Sequence, residues 1–154
     1  MITAANPVKK TTLKDFNKWV KLIDSSEQVK LKDIISFLQK EHEMEYRTAH
    51  PLTHLYLRHK EETAPRITYT QYGRGGKVIY DQEKIHFEME WEFGGGNAIA
   101  IIFIPEEKFW EKETGTKLKD RESILDFIGK QVVKDQASGT GSYIIYDNSM
   151  SITR

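Results

Sequence analysis

Two hydrophobic periods divide the chain. Leu13, Phe16, Trp19, Val20 and Ile23 recur at helical spacing, and "DSSEQ" from Asp24 ends the run. Thr12 is the expected N-cap, with Asp15 in the favourable first turn. A second helix is predicted over 30–43, with Leu31, Ile34, Ile35 and Leu38 as its stripe. A third is predicted to start at Pro51, because proline suits the first helical position; Leu52, Leu55, Tyr56 and His59 share one of its faces. These segments make a helical unit over 11–62 behind a loose arm over 1–10, with "EETAP" (61–65) as the boundary.

From Arg66 the period shortens to two. "RITYTQY" and "KVIYD" flank "GRGG", and "KIHFEMEWEF" and "NAIAIIFI" flank "GGG", an antiparallel meander of four strands. The third strand alternates most cleanly: Ile85, Phe87, Met89, Trp91 and Phe93 on one side, His86, Glu88, Glu90 and Glu92 on the other. The fourth, Ala98 to Ile104, is apolar throughout and is expected to be central and covered on both faces. Pro105 to Glu107 open a short helix carrying Phe109 and Trp110. Asp120 is expected to cap a longer helix to Gln136, with Ile124, Leu125, Phe127, Ile128 and Val132 inward. A last hairpin, "YIIYDNSMSIT", turns at Asp147 and Asn148. The expected class is α+β: an N-terminal three-helix unit plus an antiparallel β-meander backed by a C-terminal helix and closing hairpin. Residues 63–154 hold the sheet and its helix, and both parts also fit one compact domain.

Composition narrows the chemistry. Lys plus Arg equals Asp plus Glu, 23 each, so no global field draws nucleic acid or anionic membrane. The absence of cysteine removes thiol nucleophiles, disulfides and thiolate zinc sites. The start has no apolar leader and no window reaches membrane-spanning length, so a cytoplasmic protein is expected.

Four of the five histidines crowd "EHEMEYRTAHPLTHLYLRHK" (41–60). His50 and His54 have the i, i+4 spacing of paired metal ligands. His50 precedes proline, however, which disfavours the α region there and argues against a local grip. His54 and His59 are five apart and face different ways. His42 suits a helix C-terminus, and His59 joins the apolar face. No metal or cofactor is therefore expected, with His50 and His54 the only candidates as ligands.

The glycine loops at Gly73–Gly76, Gly94–Gly96 and Gly139 lead into strands, unlike phosphate loops, which lead into helices. Turn geometry explains them. Tyr69, Tyr72, Tyr80, Arg66, Arg74 and Lys77 resemble a nucleic-acid platform, but balanced charge and strand propensity argue against one. The acidic strand face offers more. An even loop at "GGGN" would pair Phe93 with Ala98 and set Glu92, Glu90 and Glu88 beside Ile99, Ile101 and Phe103, as in a partly covered cleft.

"FNKWVKLIDSS…KLKDIISFLQKEHEMEYRTAHPLTHLYLRH" resembles a short helical module of unknown function at the N-terminus of many bacterial proteins, some of whose relatives precede START-like ligand-binding domains. Trp19, Ile34, Leu38, Lys40 to His42, Ala49 and Tyr56 carry the likeness, over about a third of the chain. "IPEEKFWEKETG…RESILDFIGKQVVKDQ" looks like an uncharacterised bacterial family, and departs from the START pattern by a hairpin after its long helix. The resemblance implies no activity and carries over no catalytic residue.

The expected function is a non-enzymatic binding or interaction module for a protein or small molecule, with Glu92 and Trp110 as contact residues. The alternative is a small-molecule-binding protein or simple hydrolase on the acidic face, with Glu88 or Glu90 as acid or base and His86 beside them.

Overall fold

A computed structural model describes residues 13–154; Thr12 and the arm over 1–10 lie outside them. The fold is α+β, and the chain divides into two compact units between Thr63 and Ala64.

The first unit holds α1 (Leu13–Ser25), α2 (Leu31–Glu41) and α3 (Tyr46–Thr63). Ile23, Ile34, Ile35, Leu38, Ala49, Leu52 and Tyr56 form its core. His59 meets Phe16 edge-on, and His42 meets both Trp19 and Phe37 the same way. Asp24 ties α1 to α3, accepting from the Tyr56 hydroxyl at 2.7 Å and Lys60 Nζ at 3.1 Å. Burial opposes the charge on Asp24, but these two donors outweigh it and hold the carboxyl below its ordinary value. Burial and then Asp24 push Tyr56 up to about 12, so it remains a donor.

The third helix starts five residues earlier than Pro51, which lies inside it. Ala49, Leu52, Thr53 and Tyr56 are all buried at i, i+3, i+4 and i+7, a stripe that runs straight past the proline. Glu45 carbonyl accepts from Thr48 and Ala49 N–H and starts the turn. Core burial here outweighs the local preference of His50 to leave the helical region.

In the second unit six antiparallel strands lie in the order β1-β2-β3-β4-β6-β5. They are β1 (Arg66–Tyr72), β2 (Gly75–Gln82), β3 (Ile85–Phe93), β4 (Ala98–Phe103), β5 (Ser142–Ile145) and β6 (Ser149–Thr153). The closing hairpin returns β6 to the edge of β4 and leaves β5 outermost. Between β4 and β5 come α4 (Glu107–Thr114) and α5 (Arg121–Gln136). Asp120 makes no side-chain cap; it ends a 3-10 turn, and its carbonyl accepts from the Ser123 hydroxyl.

Among the described residues of this unit, the helices cover one sheet face. Val78, Tyr80, Phe87, Met89, Ile102, Met150 and Ile152 meet Ile124, Leu125, Ile128 and Val132 of α5. The strand β4 is central, as expected, but its outer face is open: Ile102 is 1% exposed and Phe103 44%. Its apolar run therefore reflects a mixed outer surface and not a second covering layer.

Tyrosines fasten α5 across this face. The Tyr143 hydroxyl of β5 donates to Asp126, and the Tyr69 hydroxyl of β1 to Asp135 at 2.8 Å. Between Asp126 and Asp135 sits Gly129, where an added Cβ would lie 2.5 Å from the Tyr143 ring.

Glycine to alanine in a helix interior ordinarily stabilises by about 1 kcal/mol. At Gly129 we expect the reverse, a net loss of about 1–3 kcal/mol as α5 is forced off β5. Urea unfolding of Gly129→Ala checks this, and a gain in stability would contradict the close approach.

Candidate functional site

The covered face is not covered to its end. Alongside the last turns of α5, a cleft of about 290 Å³ opens between Val132 and Gln136 of the helix and residues of β1 to β4 and β6. Tyr69, Trp91 and Phe93 supply its aromatic walls. Trp91 and Phe93 continue the inward alternation of β3 past the point where α5 can bury it. Their rings meet edge-on at 5.2 Å, and Phe93 is 45% exposed.

A glycine and a bulge shape the walls. Gly76 of β2 lies opposite Trp91, whose indole N–H donates to the Thr70 carbonyl of β1 at 3.1 Å. A Cβ at Gly76 would come within 1.8 Å of that carbonyl and 2.8 Å of the indole nitrogen. Gly73 is the residue that serves the turn, at φ 63; Gly76 serves the tryptophan. On the far side, β4 pairs Ala98 with Thr153 and Ala100 with Ile152, so Ile99 is an extra residue. The bulge turns Ile99 from the outer face into the cleft, beside Ala100.

The strong donors are already used. Tyr69 is held by Asp135, itself bonded to Gln131 Nε2 at 2.9 Å. Burial first, and then the Asp135 carboxylate, raise the Tyr69 phenol far above its usual range, so it stays neutral. With the Trp91 N–H also engaged, the cleft presents ring faces and aliphatic carbon, with the Gln71 and Gln136 amides at its rim.

No family model matches the chain, and neither does any curated protein or solved structure.

The residues expected from sequence lie elsewhere. His86, Glu88, Glu90 and Glu92 line the opposite, outer face of β3 and are exposed. Lys77 pairs with Glu88, and Asp81 with His86 Nδ1 at 2.6 Å. Glu90 and Glu92 border a more open groove with Arg74, Tyr72 and Phe103. The loop parity that put these acids beside apolar residues of β4 is found, but two residues out of register: Glu92 pairs with Ile101 and Phe93 with Ala100.

Trp110, expected at a contact surface, is fully buried, edge-on to Phe87 at 5.7 Å and under the Arg121 guanidinium at 5.6 Å. It anchors α4 to the sheet because its neighbour Phe109 takes the exposed side of that short helix. Because α3 starts at Tyr46 and not at Pro51, His50 and His54 share one helix, and their Nε2 atoms approach to 3.3 Å. Among the described residues no third histidine, aspartate or glutamate joins them as a possible ligand. No described helix is long and apolar enough to cross a membrane.

Replacing Trp91 by phenylalanine keeps a ring but removes the donor to Thr70, with an expected cost of about 0.5–1.5 kcal/mol. Gly76→Ala should cost more, since its Cβ meets backbone that cannot yield cheaply. Paired urea unfolding curves test the order. A Gly76→Ala protein no weaker than Trp91→Phe would contradict the proposed role of the glycine.

Proposed function

We propose that the chain is a non-enzymatic binding module whose ligand seat is the aromatic cleft at the end of α5. The observation that carries this reading is the placement of Tyr69, Trp91 and Phe93 around an opening that α5 leaves uncovered. Residues that could have packed into a longer core instead line a small-molecule-sized space. Because the indole and phenol donors are spent internally, the cleft favours a neutral ligand with a flat or aliphatic apolar part, oriented by amides at the rim. A charged ligand would lose hydration with no opposite charge among the cleft-lining side chains to replace it.

The balance of charge supports the same reading, since it gives no global field to draw nucleic acid or anionic membrane. A hydrolase on the acidic face has less support, because Glu88 and His86 are already engaged with Lys77 and Asp81.

Calorimetric titration with 2-naphthol, a neutral bicyclic aromatic, tests the seat. The expected result is saturable one-site binding, weakened about tenfold or more by Phe93→Ala and by Trp91→Ala, since losing an aromatic wall costs about 1.5–3 kcal/mol. Glu90→Gln should bind as the wild type does. Phe93 is half exposed, so its truncation leaves the fold intact and separates lost binding from lost structure. No saturable binding, or an equal loss in Glu90→Gln, would overturn the assignment.

A further inference from the structure

The helical unit carries a second feature, independent of the cleft. His50 and His54 project from successive turns of α3, their ring centroids 4.5 Å apart and their Nε2 atoms 3.3 Å apart. We propose that they form a two-histidine site for a divalent transition-metal ion of the zinc class.

The distance carries the argument. A tetrahedral zinc ion with Zn–N bonds of about 2.0–2.1 Å holds two ligand nitrogens about 3.3–3.4 Å apart along one edge. The observed separation matches that edge. It is long for a hydrogen bond, whose heavy atoms ordinarily lie about 2.7–3.2 Å apart. Both rings present Nε2 across that gap, and neutral imidazole can ligate a metal through this nitrogen.

The scaffold keeps that geometry in place. Ala49, Leu52, Thr53 and Tyr56, which flank the two histidines along α3, are all buried, so the helix segment beneath them is fixed by core packing. Tyr46 lies one turn before His50, with ring centroids 5.5 Å apart, and backs the inner ligand; His54 is exposed. Imidazole pairs suit zinc, nickel and copper, whereas magnesium and calcium require oxygen ligands. With no third protein ligand among the described residues, the ion keeps positions for water or for a donor group of another molecule.

Calorimetric titration of the full chain with zinc chloride tests the site. The expected result is one zinc per chain, with magnesium giving no binding heat. Changes behind a ligand already cost about 10–100-fold in metal affinity, so His50→Gln and His54→Gln should each weaken binding by at least about tenfold. His86→Gln, on the second unit, should bind as the wild type does. His54 is exposed, and unchanged helical circular dichroism of His54→Gln confirms that the loss is one of ligation. Absence of saturable zinc binding at millimolar zinc, or wild-type affinity in either His50→Gln or His54→Gln, would overturn the proposal.

Discussion

The second unit depends on how closely α5 approaches the sheet. Gly129 lets the helix backbone come down onto the Tyr143 ring, and from that contact the buried stripe of Ile124, Leu125, Ile128 and Val132 reaches the strands. Each of these side chains contributes about 1.5–3 kcal/mol by leaving water, and most would be lost if α5 stood a side chain further away. Asp126 and Asp135, each held by a tyrosine from an opposite edge of the sheet, set the direction in which the helix crosses.

The cleft is a consequence of the same contact. Where α5 ends at Gln136, the inward alternation of β3 has two residues still to run, Trp91 and Phe93. Gly76 removes a side chain below the indole, and the bulge at Ile99 brings one in from the other side. The result is an apolar opening whose phenol and indole donors are satisfied from within. Such an opening suits recognition of neutral apolar surface better than chemistry that must move protons or hold charge.

Much of this architecture was legible because period and parity are strong signals. The alternation of β3, the paired turns and the stripe of α5 all follow from side chains that must share a face. What was not legible depended on contacts distant in sequence. Pro51 looked like a helix start because proline acts locally, whereas the burial of Ala49 that extends α3 across it is tertiary. Trp110 looked available because nothing in its short helix shows that Phe87 waits for it. The cleft itself was hidden by the bulge: alternation assigned Ile99 to the acidic face, and one extra residue moved it to the other. The i, i+4 spacing of His50 and His54 is visible in sequence, but that α3 runs through Pro51 and carries both is a tertiary outcome.

We propose that this unit meets its ligand at the uncovered end of the α5 face and not on the acidic face. Chemical-shift mapping of the uniformly ¹⁵N-labelled protein during addition of 2-naphthol tests it most directly. The largest changes are expected on the Trp91 indole N–H and on the amides of Phe93, Ile99 and Val132, with His86, Glu88 and Glu90 unmoved. Changes centred on those outer-face residues, or spread evenly over the sheet, would contradict it.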